Sequence, residues 1–203
     1  MKSLSEIDTT SKRASRAAGY SWGISEEVGK NIRMLEMFGL PGIKNLNDYY
    51  KRKKERKFEN LNLISADNKT VKSEFCPIIA GTSFLDQAKF LESLKEIKFH
   101  KIAYPLLFLP FISRASEIIG KRLLLKFDEK EFLLNFNNNI YSNFLSNNIV
   151  ENAKTISIKF LNNVDSFDKK EWEELYRLSE DTFVEESDSS MQKGAGAGLT
   201  DND

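Results

Sequence analysis

The most apolar stretch of this 203-residue chain, residues 105–112, limits the folds that the chain can adopt. Its sequence, PLLFLPFI, carries prolines at Pro105 and Pro110, and proline removes a donor that a central strand needs. We therefore predict an extended approach that enters a buried helix at Pro110, because the first turn of a helix tolerates proline. The helix is expected to end at a cap formed by Gly120. The sequence thus predicts one buried central helix.

Three helices are predicted before residue 58. The first is indicated by a capping box of Ser3 and Glu6 and stops at Gly19. The second is predicted to start at Ser25, and the third, strongly basic, to cover residues 45–57. Aromatic side chains interleave with the charges of the third helix, but no nucleic-acid-binding signature accompanies them. A solvated face, or a face that pairs with the acidic C-terminal segment, is the favoured interpretation.

The middle of the chain changes to a strand pattern. Strands are predicted over five ranges, which are 58–66, 70–80, 122–127, 131–136 and 155–161. The third and fourth form a hairpin around residues 128–130, and residues 84–98 are predicted as a helix. A last helix is expected after a cap at Asp165, Ser166 or Asp168.

The predicted fold class is α+β. It has an N-terminal helical layer, a mainly antiparallel sheet, the buried central helix and a C-terminal helix with a glycine-rich tail. At this length one domain over residues 1–203 is expected. Its parts are a helical part (1–57), a sheet-rich part with the central helix (58–164), a C-terminal helix and connector (165–193) and a docked tail (194–203).

Charge argues against nucleic-acid and membrane partners. Lys plus Arg and Asp plus Glu number 30 each, so no overall attraction to nucleic acid or to an anionic membrane exists. The charge is uneven, with a net +6 over residues 1–57 and a net −8 over residues 165–203. Such opposed poles favour pairing within the fold or between subunits, and therefore a homo-oligomer or a protein partner.

The numbers of cysteines and histidines, and the motifs present, limit the kinds of site that the chain can form. A single cysteine, Cys76, excludes an internal disulfide, and a single histidine, His100, excludes a conventional tetrahedral His/Cys metal site. No phosphate loop or serine elbow is present, so a nucleotide-binding loop is not expected, and the sequence leaves any cofactor unidentified. No stretch has the length and apolarity of a membrane span or a secretory signal, and a cytoplasmic protein is expected.

Cys76 and Glu26 are the candidate catalytic residues. Cys76 precedes Pro77, where a strand end would hold it near backbone donors. A cysteine nucleophile needs thiolate character from a histidine, a lysine or a helix N-terminus, and His100 is the only histidine. The alternative, which is the commoner role of a lone cysteine, is a small buried hydrophobe.

Three further side chains, Trp22, Glu27 and Arg114, are candidate ligand or interface residues. Trp22, with Glu26 and Glu27 in the following turn, could line a pocket for a cationic or aromatic ligand. The alternative is that Trp22 packs the first helix against the second. Arg114 lies in the apolar central helix, where a guanidinium needs a carboxylate partner, and the acids of the tail are the expected partners. The alternative for Arg114 is an extended side chain that reaches solvent.

The tail, GAGAGLTDND, covers residues 194–203. Alternating glycines permit close approach to another surface, and the small apolar composition favours docking over disorder. The terminal carboxylates are expected to meet a cation or a basic side chain. The candidate interface residues of the tail are Gly196, Gly198, Thr200, Asp201 and Asp203.

Four separated stretches carry a resemblance to a known family. They are residues 18–29 with 39–42, residues 76–81 with Asp86, residues 105–116 and residues 194–203. In these stretches the chain resembles a bacterial family known as domain of unknown function 3726. The resemblance implies one intact domain, and the family has no assigned activity. The chain departs from the family by lacking a proline near Glu185 and an arginine near Met191.

Two functions follow from these observations. The preferred one is an accessory or structural subunit that assembles with itself or with a metabolic enzyme through the tail. The charge poles and the missing catalytic constellation favour it. The alternative is a small enzyme with carboxylates and Cys76 in a pocket near Arg114.

Overall fold

The computed structural model describes residues 2–71, 73–144 and 146–182, and the chain divides into two compact units, Met1–Asn163 and Val164–Asp203. The described helices are α1 (Leu4–Ala17), α2 (Trp22–Met37), α3 (Gly42–Glu55), α4 (Pro77–Asp86), α5 (Ala88–Leu91), α6 (Pro105–Ile119) and α7 (Lys169–Glu180). The described strands are β1 (Asp67–Asn68), β2 (Glu96–Ala103), β3 (Arg122–Phe127), β4 (Lys130–Asn135), β5 (Asn139–Ser142) and β6 (Asn152–Leu161). These elements confirm the α+β class.

The N-terminal helical layer forms much as the caps predict. Ser3 and Glu6 make the capping box of α1, each satisfying a backbone N–H of the other. The predicted start of α2 at Ser25 is wrong, because the Ser21 side chain accepts from the Ile24 N–H and the helix begins at Trp22. Helix α3 begins three residues before the predicted start at residue 45 and ends at Glu55.

Helix α6 is the central helix, and eleven of its fifteen residues are buried. The predicted extended approach is wrong, since the helix already begins at Pro105 and Pro110 lies inside it. Pro105 occupies the first helical position, where its missing N–H costs nothing. Gly120 ends the helix in the left-handed conformation, with φ of 71°, as predicted.

The sheet has the strand order β1-β2-β6-β3-β4-β5. Among the described strands only β1 and β2 pair in parallel, so the mainly antiparallel sheet is confirmed. The predicted hairpin is β3 and β4, with Leu125 opposite Phe132. On the covered face Phe99 packs edge-on against Phe108 of α6, with 5.1 Å between ring centroids. The sheet and α6 thus share one core.

Two predictions for residues 70–98 are wrong. The strand predicted over residues 70–80 gives way to α4, because Cys76 caps the helix and Pro77 takes its first position. Residues 84–98, predicted as one helix, instead form the end of α4, the short helix α5 and the start of β2. Gly81 explains the packing of α4, since an added Cβ would lie 2.2 Å from Cδ2 of Phe111 on α6.

The second unit contains α7. Asp168 is the cap among the three predicted, and it forms a capping box with Glu171. None of the twelve residues of α7 is buried. Phe167, just before the helix, stacks on Trp172 with 5.5 Å between ring centroids. Residues 183–203, including the predicted docked tail, lie outside the described residues.

Among the described helices none has the length and apolarity needed to cross a membrane.

Candidate functional site

Cys76 lies where a loop enters α4. The chain is fixed there by two backbone hydrogen bonds, from the Phe75 N–H to the Lys101 carbonyl and from the Cys76 N–H to the Glu59 carbonyl, both 2.8 Å. The Sγ atom of Cys76 faces the first turn of the helix, 3.4 Å from the Ile79 nitrogen that donates to it. The thiol is therefore held at the positive end of a helix rather than at a strand end.

Two tyrosine hydroxyls complete a triangle with this thiol. The hydroxyl oxygens of Tyr20 and Tyr49 are 2.7 Å apart, and they lie 3.5 Å and 3.1 Å from the Cys76 Sγ. Burial, followed by the proximity of Cys76, raises the pKa of both phenols well above the ordinary value of 10.0. Both tyrosines therefore remain protonated at neutral pH and can donate hydrogen bonds.

A cavity of about 400 Å³ opens over this triangle, and we call it the Cys76 pocket. Residues from the α1–α2 turn, α3, the loop after α3 and α4 line it. Phe58 forms one wall, with its ring centroid 5.0 Å from that of Tyr49. The volume falls in the range of natural small-molecule sites, which is roughly 300–1,000 Å³.

Three cationic side chains line the Cys76 pocket, and among the described residues its lining includes no carboxylate. The Lys53 Nζ donates to the Ala18 carbonyl at 2.8 Å and sits 4.8 Å from the Tyr20 ring centroid. Arg56 contacts Glu74 at 2.8 Å, and Lys57 is exposed. The pocket therefore has a positive local potential.

His100 does not join Cys76. The His100 Nε2 lies 2.7 Å from the Asp67 carboxylate, on the sheet. Hydrogen bonds from Lys69 and then from His100 lower the pKa of Asp67 below its ordinary value. The cysteine–histidine pair considered from the sequence is thus not formed among the described contacts.

Glu26, Glu27 and Arg114 lie apart from the lining of the Cys76 pocket. Glu26 pairs with Lys12 at 2.6 Å, and this hydrogen bond lowers its pKa. Glu27 forms an ion pair with Arg114, and both side chains are about one-quarter exposed, at 22% and 24%. Burial raises the pKa of Glu27, but hydrogen bonds from Arg114 and Lys30 outweigh it, so the net pKa is lowered.

The Glu27 pairing gives Arg114 a partner that sequence reasoning missed. The sequence pointed instead to the acids of the tail, and Gly196, Gly198, Thr200, Asp201 and Asp203 all lie outside the described residues. A carboxylate on a neighbouring helix, 87 residues away in sequence, leaves no local pattern that could identify it.

Trp22 is 56% exposed and does not line the Cys76 pocket. Its ring is flanked by Lys12 and Arg16 of α1, whose charged groups lie 5.9 Å and 5.5 Å from the ring centroid. The tryptophan therefore contacts cations of its own chain, an arrangement typical of a cation–π contact between packed helices.

Helix α7 presents a second candidate surface. One side carries four large apolar residues whose side chains are all about half exposed or more. We call them the α7 face: Trp172 (53%), Leu175 (63%), Tyr176 (49%) and Leu178 (66%). The other sides carry charges, including the helical ion pairs Lys169–Glu173 and Lys170–Glu174. Helix α7 is therefore amphipathic, with an exposed apolar side.

The described part of the chain contains no evident metal site. No group of three or more His, Cys, Asp or Glu side chains is placed there to hold an ion.

The fold and the two surfaces describe an α+β protein with a small polar pocket and an exposed amphipathic helix. Within it, residues 2–74 match the model of a family described as "Protein of unknown function (DUF3726)", which confirms the resemblance inferred from the sequence. The matched region includes Tyr20, Tyr49 and the three cations of the Cys76 pocket, whereas Cys76 itself and Arg114 lie beyond it. No curated protein and no solved structure matches the chain.

Proposed function

We propose that the protein is an accessory protein of the bacterial cytoplasm that binds a partner protein through its C-terminal segment. The observation that carries the proposal is the α7 face, which lies on a helix with no buried residue. Contiguous exposed apolar patches mark interaction sites in soluble proteins. The partner is a second copy of the chain or a metabolic enzyme.

Helix stability supports the proposal. Isolated helices shorter than about 12–15 residues are marginal in water, and most helices in proteins are stabilised by packing of an apolar face. Helix α7 has twelve residues, a capping box and two i,i+4 ion pairs. The ion pairs contribute only about 0.3–0.5 kcal/mol each. A partner that covers the α7 face would supply the missing stabilisation.

The charges around the α7 face suggest the chemistry of the partner. Residues 165–203 carry a net charge of −8. An apolar groove with basic residues at its edges would complement this segment and would favour rapid association at low salt. The tail that follows α7 is part of the same proposal, with its terminal acids meeting basic side chains of the partner.

The test compares two variants of the full chain as bait in cytosol from the source cells. Leu175→Asp places a charge in the α7 face, whereas Glu174→Gln alters the adjacent exposed position outside it. The proposal is supported if the Leu175→Asp bait recovers a protein at least about tenfold less than the wild-type bait does. The Glu174→Gln bait should recover the same protein as well as wild type. Equal recovery of every protein by the three baits contradicts it.

Self-association is tested separately on the purified chain. Sedimentation of the wild type over a concentration series shows a dimer if the partner is a second copy, and Leu175→Asp should then be monomeric. Removal of residues 194–203 tests the tail, and undiminished assembly or partner recovery after this deletion would argue against its part in the proposal.

A second candidate, a small enzyme that uses Cys76, is favoured by the placement of the thiol in a cavity beside two tyrosine hydroxyls. Cys76→Ser should then abolish turnover in a screen of small acids and esters, with the unfolding midpoint retained. Retention of the same turnover by Cys76→Ser would exclude this role.

A further inference from the structure

The Cys76 pocket has the volume of a small-molecule site, and its lining includes polar side chains. Tyr20, Tyr49 and Cys76, whose two hydroxyls and thiol contact one another, are among the lining residues. Apolar side chains of Ile24 and Ile79 line the same cavity of about 400 Å³. A cavity lined by apolar side chains and a few polar or charged groups is the usual construction of a site that orients a small ligand.

The charge at the Cys76 pocket is strongly one-sided. Three cations, Lys53, Arg56 and Lys57, line the pocket, and no carboxylate of the described residues lies among its lining. Within the described part of the chain, no carboxylate lies within ion-pair distance of Lys53 or Lys57, and only Arg56 has one, Glu74. Clefts lined by charge of one sign concentrate ligands of the opposite sign.

The geometry of Lys53 adds to this asymmetry. Its side chain is half-buried, and it lies over the Tyr20 ring while donating to one backbone carbonyl. An ammonium group has three donors, so two remain for a ligand. The guanidinium of Arg56 likewise has more donors than its contact with Glu74 uses.

From these observations we propose that the Cys76 pocket binds a small organic anion. Its oxyanion group, a carboxylate or a phosphate, contacts Lys53, Arg56 and Lys57, and the rest of the molecule packs beside the apolar side chains that line the pocket. This site is independent of the α7 face, so either proposal can fail without the other.

Calorimetric titration of the purified full chain tests the proposal, with inorganic phosphate and succinate as separate probes at constant ionic strength. Wild type should bind at least one probe with a dissociation constant below about 10 mM, a weak affinity typical of small fragments. Binding of phosphate alone assigns a phosphorylated ligand, and binding of succinate alone assigns a carboxylic acid. Absence of saturable binding of either probe overturns the proposal.

Two matched double variants separate the pocket from the overall charge. Lys53→Gln/Lys57→Gln removes two cations that line the pocket, and Lys51→Gln/Lys54→Gln removes two exposed cations nearby that do not line it. The Lys53→Gln/Lys57→Gln variant should weaken binding about tenfold or more, which corresponds to about 1.4 kcal/mol. The Lys51→Gln/Lys54→Gln variant should weaken binding less than about twofold. Equal weakening by both variants contradicts a specific site, because both lower the net charge equally.

Alkylation of the thiol gives an independent readout, because Cys76 is the only cysteine. The sulfur displaces iodide from either iodoacetate or iodoacetamide, forming a C–S bond and releasing a proton to the buffer. The rate ratio of the anionic to the neutral reagent should exceed that of free glutathione, and phosphate or succinate should protect the thiol. A ratio no higher than that of glutathione overturns the proposal, and if neither reagent reacts, the calorimetry alone decides it.

Discussion

Helices α6 and α7 use apolar side chains in opposite ways. Eleven of the fifteen residues of α6 are buried, whereas α7 has none buried although it carries four large apolar residues. Helix α6 draws its stability from packing against the sheet and α4, and a proline at Pro110 is tolerated within it. Helix α7 relies on its cap and its surface ion pairs. The difference separates a helix that completes the core from one that offers a surface.

The largest expected difference in the free energy of unfolding is between variants that truncate one apolar residue in α6 and one in α7. Phe108→Ala should lower the free energy of unfolding by about 3–5 kcal/mol, because the ring is fully buried against Phe84 and Phe99. Leu175→Ala should change it by less than about 0.5 kcal/mol, because Leu175 is exposed. Urea unfolding measures both. A similar loss for the two variants would mean that α7 is packed in the isolated chain.

Loss of the Glu27–Arg114 pair should give the next largest fall in the free energy of unfolding, because this ion pair connects α6 to α2. Glu27→Gln leaves the Arg114 guanidinium, on a side chain only about one-quarter exposed, without its carboxylate and should lower the free energy of unfolding by about 1–3 kcal/mol at pH 7. The folded pKa of Glu27 is lowered from its ordinary value of 4.5, so the pair stabilises the fold above that pH. The difference between wild type and variant should therefore shrink as the pH falls below 4.5.

Unfolding curves at pH 7 and pH 3.5 test this dependence, with Glu26→Gln as the control. Glu26 pairs with Lys12 on the surface, so its variant should differ little from wild type at either pH. A stability difference for Glu27→Gln that is constant with pH would rule out the ion pair as its cause.

The smallest effect is expected at the cap of α7. Asp168→Ala removes the side-chain acceptor for the Glu171 N–H and should destabilise α7 by about 1 kcal/mol. Because α7 has no buried residue, the loss should appear as lower helicity in circular dichroism without a shift of the main unfolding transition. Ser3→Ala, which removes the corresponding cap of α1, is the matched comparison and should lower the main transition.

Local signals predicted much of the fold. The capping box at Ser3, a cap at Asp168 as one of three candidates, the glycine cap at Gly120 and the β3–β4 hairpin all rest on residues close in sequence. The strand predicted in place of α4 failed because a short apolar run with β-branched residues, here Ile78 and Ile79, fits a strand and a buried helix equally. Tertiary packing against α6 decides between them.

The Cys76 pocket was less accessible to sequence reasoning. Cys76 was a candidate, but Tyr20 and Tyr49 come together with it across 56 and 27 residues of sequence. From the sequence, the basic run of α3 favours a solvated face or a face that pairs with the acidic C-terminal segment. The helical period, which turns Tyr49 inward and places Lys53 at the pocket, is the signal that could have found the site. A contact between distant residues leaves no such signal in one sequence.

Hydrogen exchange on the purified monomer tests the central claim, that the α7 face is free to bind a partner. The amides of α7 should exchange within seconds, while those of α6 should be protected up to the global free energy of unfolding. Addition of the partner, or concentration of the chain if it binds itself, should slow exchange in α7. Amides of α7 as strongly protected as those of α6 in the dilute monomer would contradict the claim, because the helix would then be stabilised without any partner.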